Sequence, residues 1–88
     1  MDDVDLTLDG NAVAGVLEEL FGGDMTTSVG ECARCGARHA VGALRAYTRA
    51  PGIVLRCPAC TEVVARIVET PRGTLVDLRG ATHLVVRR

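Results

Sequence analysis

Apolar positions in the first quarter of the chain recur with a helical period. Val13, Val16, Leu17, Leu20 and Phe21 fall at i, i+3, i+4, i+7 and i+8, one continuous stripe. The stripe predicts an amphipathic helix over about residues 10–21. Asp9 or Asn11 supplies a cap at its start, and Gly22-Gly23 ends it. Glu18 and Glu19 lie off the stripe. Residues 1–9 show no such period and read as loosely ordered. A helix of about three turns does not stand alone in water. Its stripe must be covered by the rest of the chain, by a second copy, or by a partner.

Beyond the glycines the period shortens to two. Met25 to Gly30 reads as a short β segment leading into the first cysteine pair, and 43–49 with 53–57 read as a hairpin around Pro51-Gly52. Pro followed by Gly suits the two central positions of a type II turn. Alternation sends Leu44, Ala46 and Thr48 to one face and Arg45, Tyr47 and Arg49 to the other. Ile53 and Leu55 join the first set, and Arg56 the second. A turn centred on Pro51-Gly52 sets Tyr47 opposite Arg56. Three further segments, about 62–69, 74–78 and 82–86, read as a meander broken at Pro71-Arg72-Gly73 and Arg79-Gly80. Its expected buried members are Ile67, Val76, Leu78, Leu84 and Val86.

Composition limits what these elements can bury. The 88 residues include one Phe (Phe21), one Tyr (Tyr47) and no Trp. The core must therefore be built from Val, Ala and Leu, and a small domain with such a core needs a staple. Two cysteine pairs supply one: Cys32-Ala33-Arg34-Cys35 and Cys57-Pro58-Ala59-Cys60, separated by 21 residues and the only cysteines in the chain. Two residues inside each pair let one tight turn aim both sulfurs at one ion. Four thiolates at this spacing are the donor set of a tetrahedral structural zinc site. Such sites contribute about 10–16 kcal/mol of apparent binding energy in finger peptides near neutral pH. A typical domain has a net stability of only about 5–15 kcal/mol. A rubredoxin-like iron site uses the same four thiolates. Its knuckles usually read Cys-Pro-x-Cys-Gly and lie among aromatics; here the Gly follows one pair and the Pro sits in the other, so zinc is preferred to iron.

His39, four residues past Cys35, reads as a surface or neighbouring histidine beside a complete site. His83 alternates with Leu84 and Val86 and reads as solvent-facing with Arg87. No Ser/His/Asp grouping, phosphate-binding glycine loop or carboxylate pair is visible, and four occupied thiolates leave no open catalytic position. No enzyme is expected.

Net charge is −1, but it is divided. Residues 1–31 carry eight acids and no base, and residues 32–88 carry ten bases, all Arg, with three acids. The acidic start is unlike a secretory signal, no apolar run is long enough to span a membrane, and paired cysteines in a reducing compartment favour metal over disulfides. A cytoplasmic protein is expected. Arg45, Tyr47, Arg49 and Arg56 form one candidate face for phosphates and a stacked base, or for a partner protein.

The segments Leu8-Asp9-Gly10-Asn11-Ala12-Val13-Ala14-Gly15 and Leu20-Phe21-Gly22-Gly23-Asp24-Met25-Thr26-Thr27, then Cys-x2-Cys-Gly, then Arg49-Ala50-Pro51-Gly52 before Cys-Pro-x-Cys, carry a resemblance. Together they resemble a family of small actinobacterial zinc-ribbon proteins of unknown function. The resemblance runs from about residue 8 to about residue 79. It implies a helix-plus-ribbon protein with zinc on Cys32, Cys35, Cys57 and Cys60, and brings no activity or substrate.

The expected architecture is a small α+β zinc ribbon: antiparallel hairpins and a meander around a four-Cys site, with one N-terminal helix. An acidic segment with the helix occupies residues 1–24 and the β domain residues 25–88. The expected function is a non-enzymatic protein-interaction or adaptor module with structural zinc. Its partner is another protein, or a second copy docked through Val13, Val16, Leu17, Leu20 and Phe21. The alternatives are a nucleic-acid-binding ribbon using the Arg/Tyr face and an iron electron carrier.

Overall fold

The helical stripe and the period-two segments meet in one apolar core. The computed structural model describes residues 7–48 and 52–86. Helix α1 spans Ala14–Phe21 and follows a single 3-10 turn, Gly10–Val13. Asp9 is the cap: its carboxylate accepts the amide of Asn11 at 3.1 Å. Gly22, left-handed with φ 80°, closes the helix. Val13 and Leu17 are buried, and Leu20 and Phe21 pack against the same core. Val16, by contrast, stays 36% exposed. The tighter 3-10 start rotates the stripe, so the core receives four of its five residues. No helix among the described residues is long and apolar enough to cross a membrane.

Among the described residues, eight strands form two antiparallel sheets. They are β1 (Thr7–Asp9), β2 (Val29–Cys32), β3 (Arg38–Ala40), β4 (Arg45–Tyr47), β5 (Ile53–Arg56), β6 (Val63–Thr70), β7 (Gly73–Asp77) and β8 (Ala81–Leu84). The larger sheet has the order β1-β4-β5-β6-β7 and the smaller β3-β2-β8. Their inner faces contribute Cys32, Leu44, Ala46, Leu55, Cys57, Ala65 and Ile67 to the core, with Met25 and Val41 from the connections. At the centre remains a cavity of about 30 Å³ lined almost wholly by apolar side chains.

Several expectations change. Thr7–Asp9 form a strand, β1, paired with β4, where the sequence suggested loose order. Residues 1–6 lie outside the described residues, as do Arg49, Pro51 and Arg87. Strand β3, which had no counterpart in the alternation pattern, pairs with β2. The β4–β5 hairpin is two residues out of the expected register: Arg45 faces Arg56, Ala46 faces Leu55 and Tyr47 faces Val54. β5 ends before Cys57, whose amide donates to the Glu62 carbonyl and whose carbonyl accepts the Thr61 amide within the second cysteine loop. A shift of two preserves the faces, so Arg45, Tyr47 and Arg56 still share the outward side.

The expected three-stranded meander has two strands. β7 pairs with β6, whereas β8 crosses to β2. The turn between them is held by the first cysteine loop, where the Ala33 amide donates to the Gly80 carbonyl at 2.8 Å. This diversion explains the burial errors. Leu78 sits in the turn and is 37% exposed, and Val86 lies past the end of β8 and is 40% exposed. Val76 and Leu84 are half-buried and Ile67 is fully buried.

Candidate metal centre

Both cysteine pairs occupy hairpin loops, one in each sheet. Cys32 ends β2 and Cys35 lies in the loop to β3; Cys57 follows β5 and Cys60 lies in the loop to β6. The two loops repeat the same hydrogen bonds. The Cys32 amide donates to Ala37 at 2.9 Å, and the Cys57 amide to Glu62 at 2.9 Å. The Gly36 amide returns to Cys32 at 2.9 Å, and the Thr61 amide to Cys57 at 2.8 Å. Gly36 and Thr61 therefore hold equivalent places, and both are left-handed, with φ 76° and 67°. For glycine that conformation is free of strain; for a β-branched residue it is an outlier. Thr61 is the one non-glycine residue with positive φ among those described. Its carbonyl accepts a guanidinium hydrogen of Arg56 at 2.9 Å, which braces the loop.

Each first cysteine also adjoins a break in the strand ladder. The β2–β8 register shifts between Glu31 and Cys32, and the β5–β6 register between Leu55 and Arg56. Bulges bend a strand and re-aim the residues next to them. Here both aim a cysteine loop inward.

The four sulfurs lie within 4.8 Å of one another. Cys32 Sγ is 3.6 Å from Cys60 Sγ, and Cys35 Sγ is 3.7 Å from Cys57 Sγ. A metal–thiolate bond of about 2.3 Å in a regular tetrahedron requires sulfur separations of about 3.8 Å. The closest contacts run between loops, so one central ion would cross-link the two sheets. Cys32 and Cys57 are buried, Cys60 is half-buried and Cys35 is exposed at the rim.

Electrostatics also favour a cation at this point. The Cys35 amide, with that of Arg34, holds the Cys32 thiol down at about 7, against the opposing effect of burial. The Ala37 amide pulls on Cys35, but burial and the Cys57 and Cys32 sulfurs outweigh it and raise that thiol. The Glu62 amide pulls likewise on Cys60, yet burial and the other three sulfurs push it up to about 12. Four thiolates this close cannot all be charged without a positive ion among them, and the loop amides already point at the sulfurs.

His39 stands outside this cluster. It is half-buried on β3, lines the central cavity, and its Nε2 is buried with no hydrogen-bond partner among the described residues. His83 is exposed on β8, with Nδ1 3.1 Å from the Thr82 hydroxyl.

A family model spans residues 3–88 of the chain. The chain belongs to that family, a family of unknown function, DUF6510. No curated protein and no solved structure is similar enough to count as a match. In this DUF6510 member the residues that bear on chemistry are therefore those the fold itself brings together.

Of the candidate Arg/Tyr face, Arg45, Tyr47 and Arg56 lie together on the outward side of the larger sheet, while Arg49 is outside the described residues. The Arg56 guanidinium stands over the Tyr47 ring, 5.7 Å from its centroid. Sequence reasoning missed three further arginines, Arg34, Arg66 and Arg79, which join Arg56 around a shallow basin beside the metal loops. Arg66 was readable: it alternates with Ala65 and Ile67, which face the core. Arg34 and Arg79 were not, because only the crossing of β8 to β2 brings their turns together.

Proposed function

We propose that this chain is a non-enzymatic module of the zinc-ribbon kind, in which one structural zinc on Cys32, Cys35, Cys57 and Cys60 holds a surface for a protein partner. The observation that carries the reading is the sulfur geometry: four thiols from two hairpin loops within 4.8 Å of one another, with no His, Asp or Glu among the described residues joining the cluster. A catalytic zinc keeps one position open for water or substrate, and a four-thiolate site leaves none. Iron fits the same donors. Zinc is preferred because iron electron carriers are wrapped in aromatics, and this chain has one Phe and one Tyr. Thiols kept reduced for a metal suit the cytoplasm. A nucleic-acid partner is less well supported than a protein, because Arg56 already covers a face of Tyr47, the one aromatic of that surface.

Metal analysis of purified protein tests the reading, followed by complete chelation monitored by circular dichroism. The expected result is a colourless protein with one zinc per chain that unfolds when the metal is removed. Native circular dichroism in metal-free protein would refute the structural role. A red protein that bleaches reversibly on reduction would assign electron transfer instead.

A further inference from the structure

We infer that the basin framed by Arg34, Arg56, Arg66 and Arg79 is a binding site for a phosphomonoester dianion. This deepens the proposed function, since it rests on the metal loops as the scaffold of a binding surface. The basin has a volume of about 360 Å³, with Glu62 and Asp77 among its lining residues.

Its charges are unequally satisfied. Arg34 pairs with Glu62 at 3.5 Å, and Arg79 with Asp77 at 2.7 Å. Arg56 and Arg66 have no carboxylate within ion-pairing distance among the described residues. Arg66 lies opposite Val54 and Arg56 opposite Val63 on the shifted part of the same ladder, and both side chains line the basin. Arg45 is directly opposite Arg56, a like-charge pairing that costs stability on a bare sheet. Arg66 faces Asp77 directly across β6 and β7, so four arginines share two carboxylates, Glu62 and Asp77, and the basin keeps a net positive charge of two.

The count and layout of these charges select the ligand. That net charge of two matches a phosphomonoester, about −1.5 to −2 near neutral pH, whereas a carboxylate would balance only half of it. Each guanidinium fork presents parallel donors to two phosphate oxygens. A terminal phosphate gathers this charge on one group, whereas a running phosphodiester carries one negative charge per phosphate. Arg56 is held in advance by the Thr61 carbonyl and the Tyr47 ring, so little ordering remains to be done on binding. Two of the four arginines depend on the metal loops: Arg34 lies between Cys32 and Cys35, and Arg56 adjoins Cys57.

Calorimetric titration of the zinc-loaded protein tests the site. The probes are inorganic phosphate, a nucleoside 5′-monophosphate, N-acetyl-phosphoserine amide, a single-stranded oligonucleotide without a terminal phosphate, and a polyglutamate peptide. Saturable one-to-one binding of the phosphomonoesters is expected. Their relative affinities tell a free nucleotide from a phosphorylated side chain. Arg66→Gln, an exposed change that leaves the fold intact, should weaken binding roughly tenfold or more. Arg38→Gln, on the other sheet and paired with Glu31, should leave it unchanged. Absence of binding, equal loss in both variants, or tighter binding of the oligonucleotide or polyglutamate would overturn the inference. Zinc content and circular dichroism of the same samples separate the two claims. Folded, zinc-bearing protein that ignores phosphate refutes only the basin; protein that stays folded without zinc refutes the scaffold.

Discussion

Gly80→Ala tests how the two sheets are joined. Gly80 needs no unusual backbone angle; what it lacks is room. A Cβ there would stand 1.8 Å from the Val63 carbonyl oxygen and 2.8 Å from Val64 Cα. Carbon–oxygen contacts across a sheet settle near 3.3–3.6 Å, so the turn would have to retreat from β6 by roughly 1.5 Å. That movement strains two turn hydrogen bonds, Ala33 to Gly80 at 2.8 Å and Ala81 to Leu78 at 3.0 Å. Each is worth about 0.5–1.5 kcal/mol, and overpacking adds about 1–3 kcal/mol. The lower entropy of an unfolded alanine returns about 0.4–1 kcal/mol. The net expectation is a loss of about 1–5 kcal/mol. In a domain of this size that lowers the melting temperature by roughly 5–40 °C. The assay is thermal unfolding by circular dichroism with zinc in excess, so that occupancy does not vary. Gly15→Ala is the control: it lies exposed in α1 with nothing within 4 Å of a new Cβ, and should gain about 0.5–1 kcal/mol. A Gly80→Ala melting point within about 4 °C of the parent would mean that the turn is not seated on β6 and that the basin has no fixed floor.

Three other outcomes are expected from the same packing. Thr61→Gly should equal or exceed the parent in stability, because release of left-handed strain of about 1–2 kcal/mol outweighs or matches the added chain entropy, whereas Gly36→Thr in the equivalent place should lose stability; chemical denaturation distinguishes them. Leu17→Ala should cost about 2–5 kcal/mol, since Leu17 is only 3% exposed, while Val16→Ala should change the denaturation midpoint little. The Asp77 carboxyl is held down to about 2 by its hydrogen bonds and attraction to Arg79, so its contribution is complete above the ordinary carboxylate value near 3.8 and is lost as pH falls through about 2. Acid titration of Asp77→Asn beside the parent should show a stability gap at neutral pH that closes over that range; a gap that widens with acid would contradict the assignment.

Features set by local periodicity were legible in the chain. The stripe from Val13 to Phe21 located α1, and alternation gave the correct faces of β4 and β5. Strand register and pairing partners were not legible. The hairpin register lies two residues from that of a turn centred on Pro51-Gly52, a difference alternation cannot detect because both registers keep the same faces. β8 left the meander because the first cysteine loop binds Gly80. β1 has only three residues, too short for any period to declare itself. The cysteine cluster was the reverse case: its spacing alone named the four residues the fold brings together, because a tight turn leaves two sulfurs little choice of direction.

The same cysteine loops explain why site and surface are one problem in this molecule. A core of Val, Leu and Ala buries little area for each ordered residue, and the smaller sheet has three strands of at most four residues each. Such a sheet does not persist without something to hold it. Beyond side-chain packing, it is joined to the larger sheet by sulfurs 3.6 and 3.7 Å apart and by the turn at Gly80. An ion at the sulfurs would convert those contacts into bonds. It would also fix Arg34 in the first loop and brace Arg56 against Thr61 in the second. The tolerated strain at Thr61 belongs to this arrangement, because its carbonyl is the group that receives Arg56. Stability and recognition are therefore expected to fail together when the metal is lost, while changes at Arg66 should separate them.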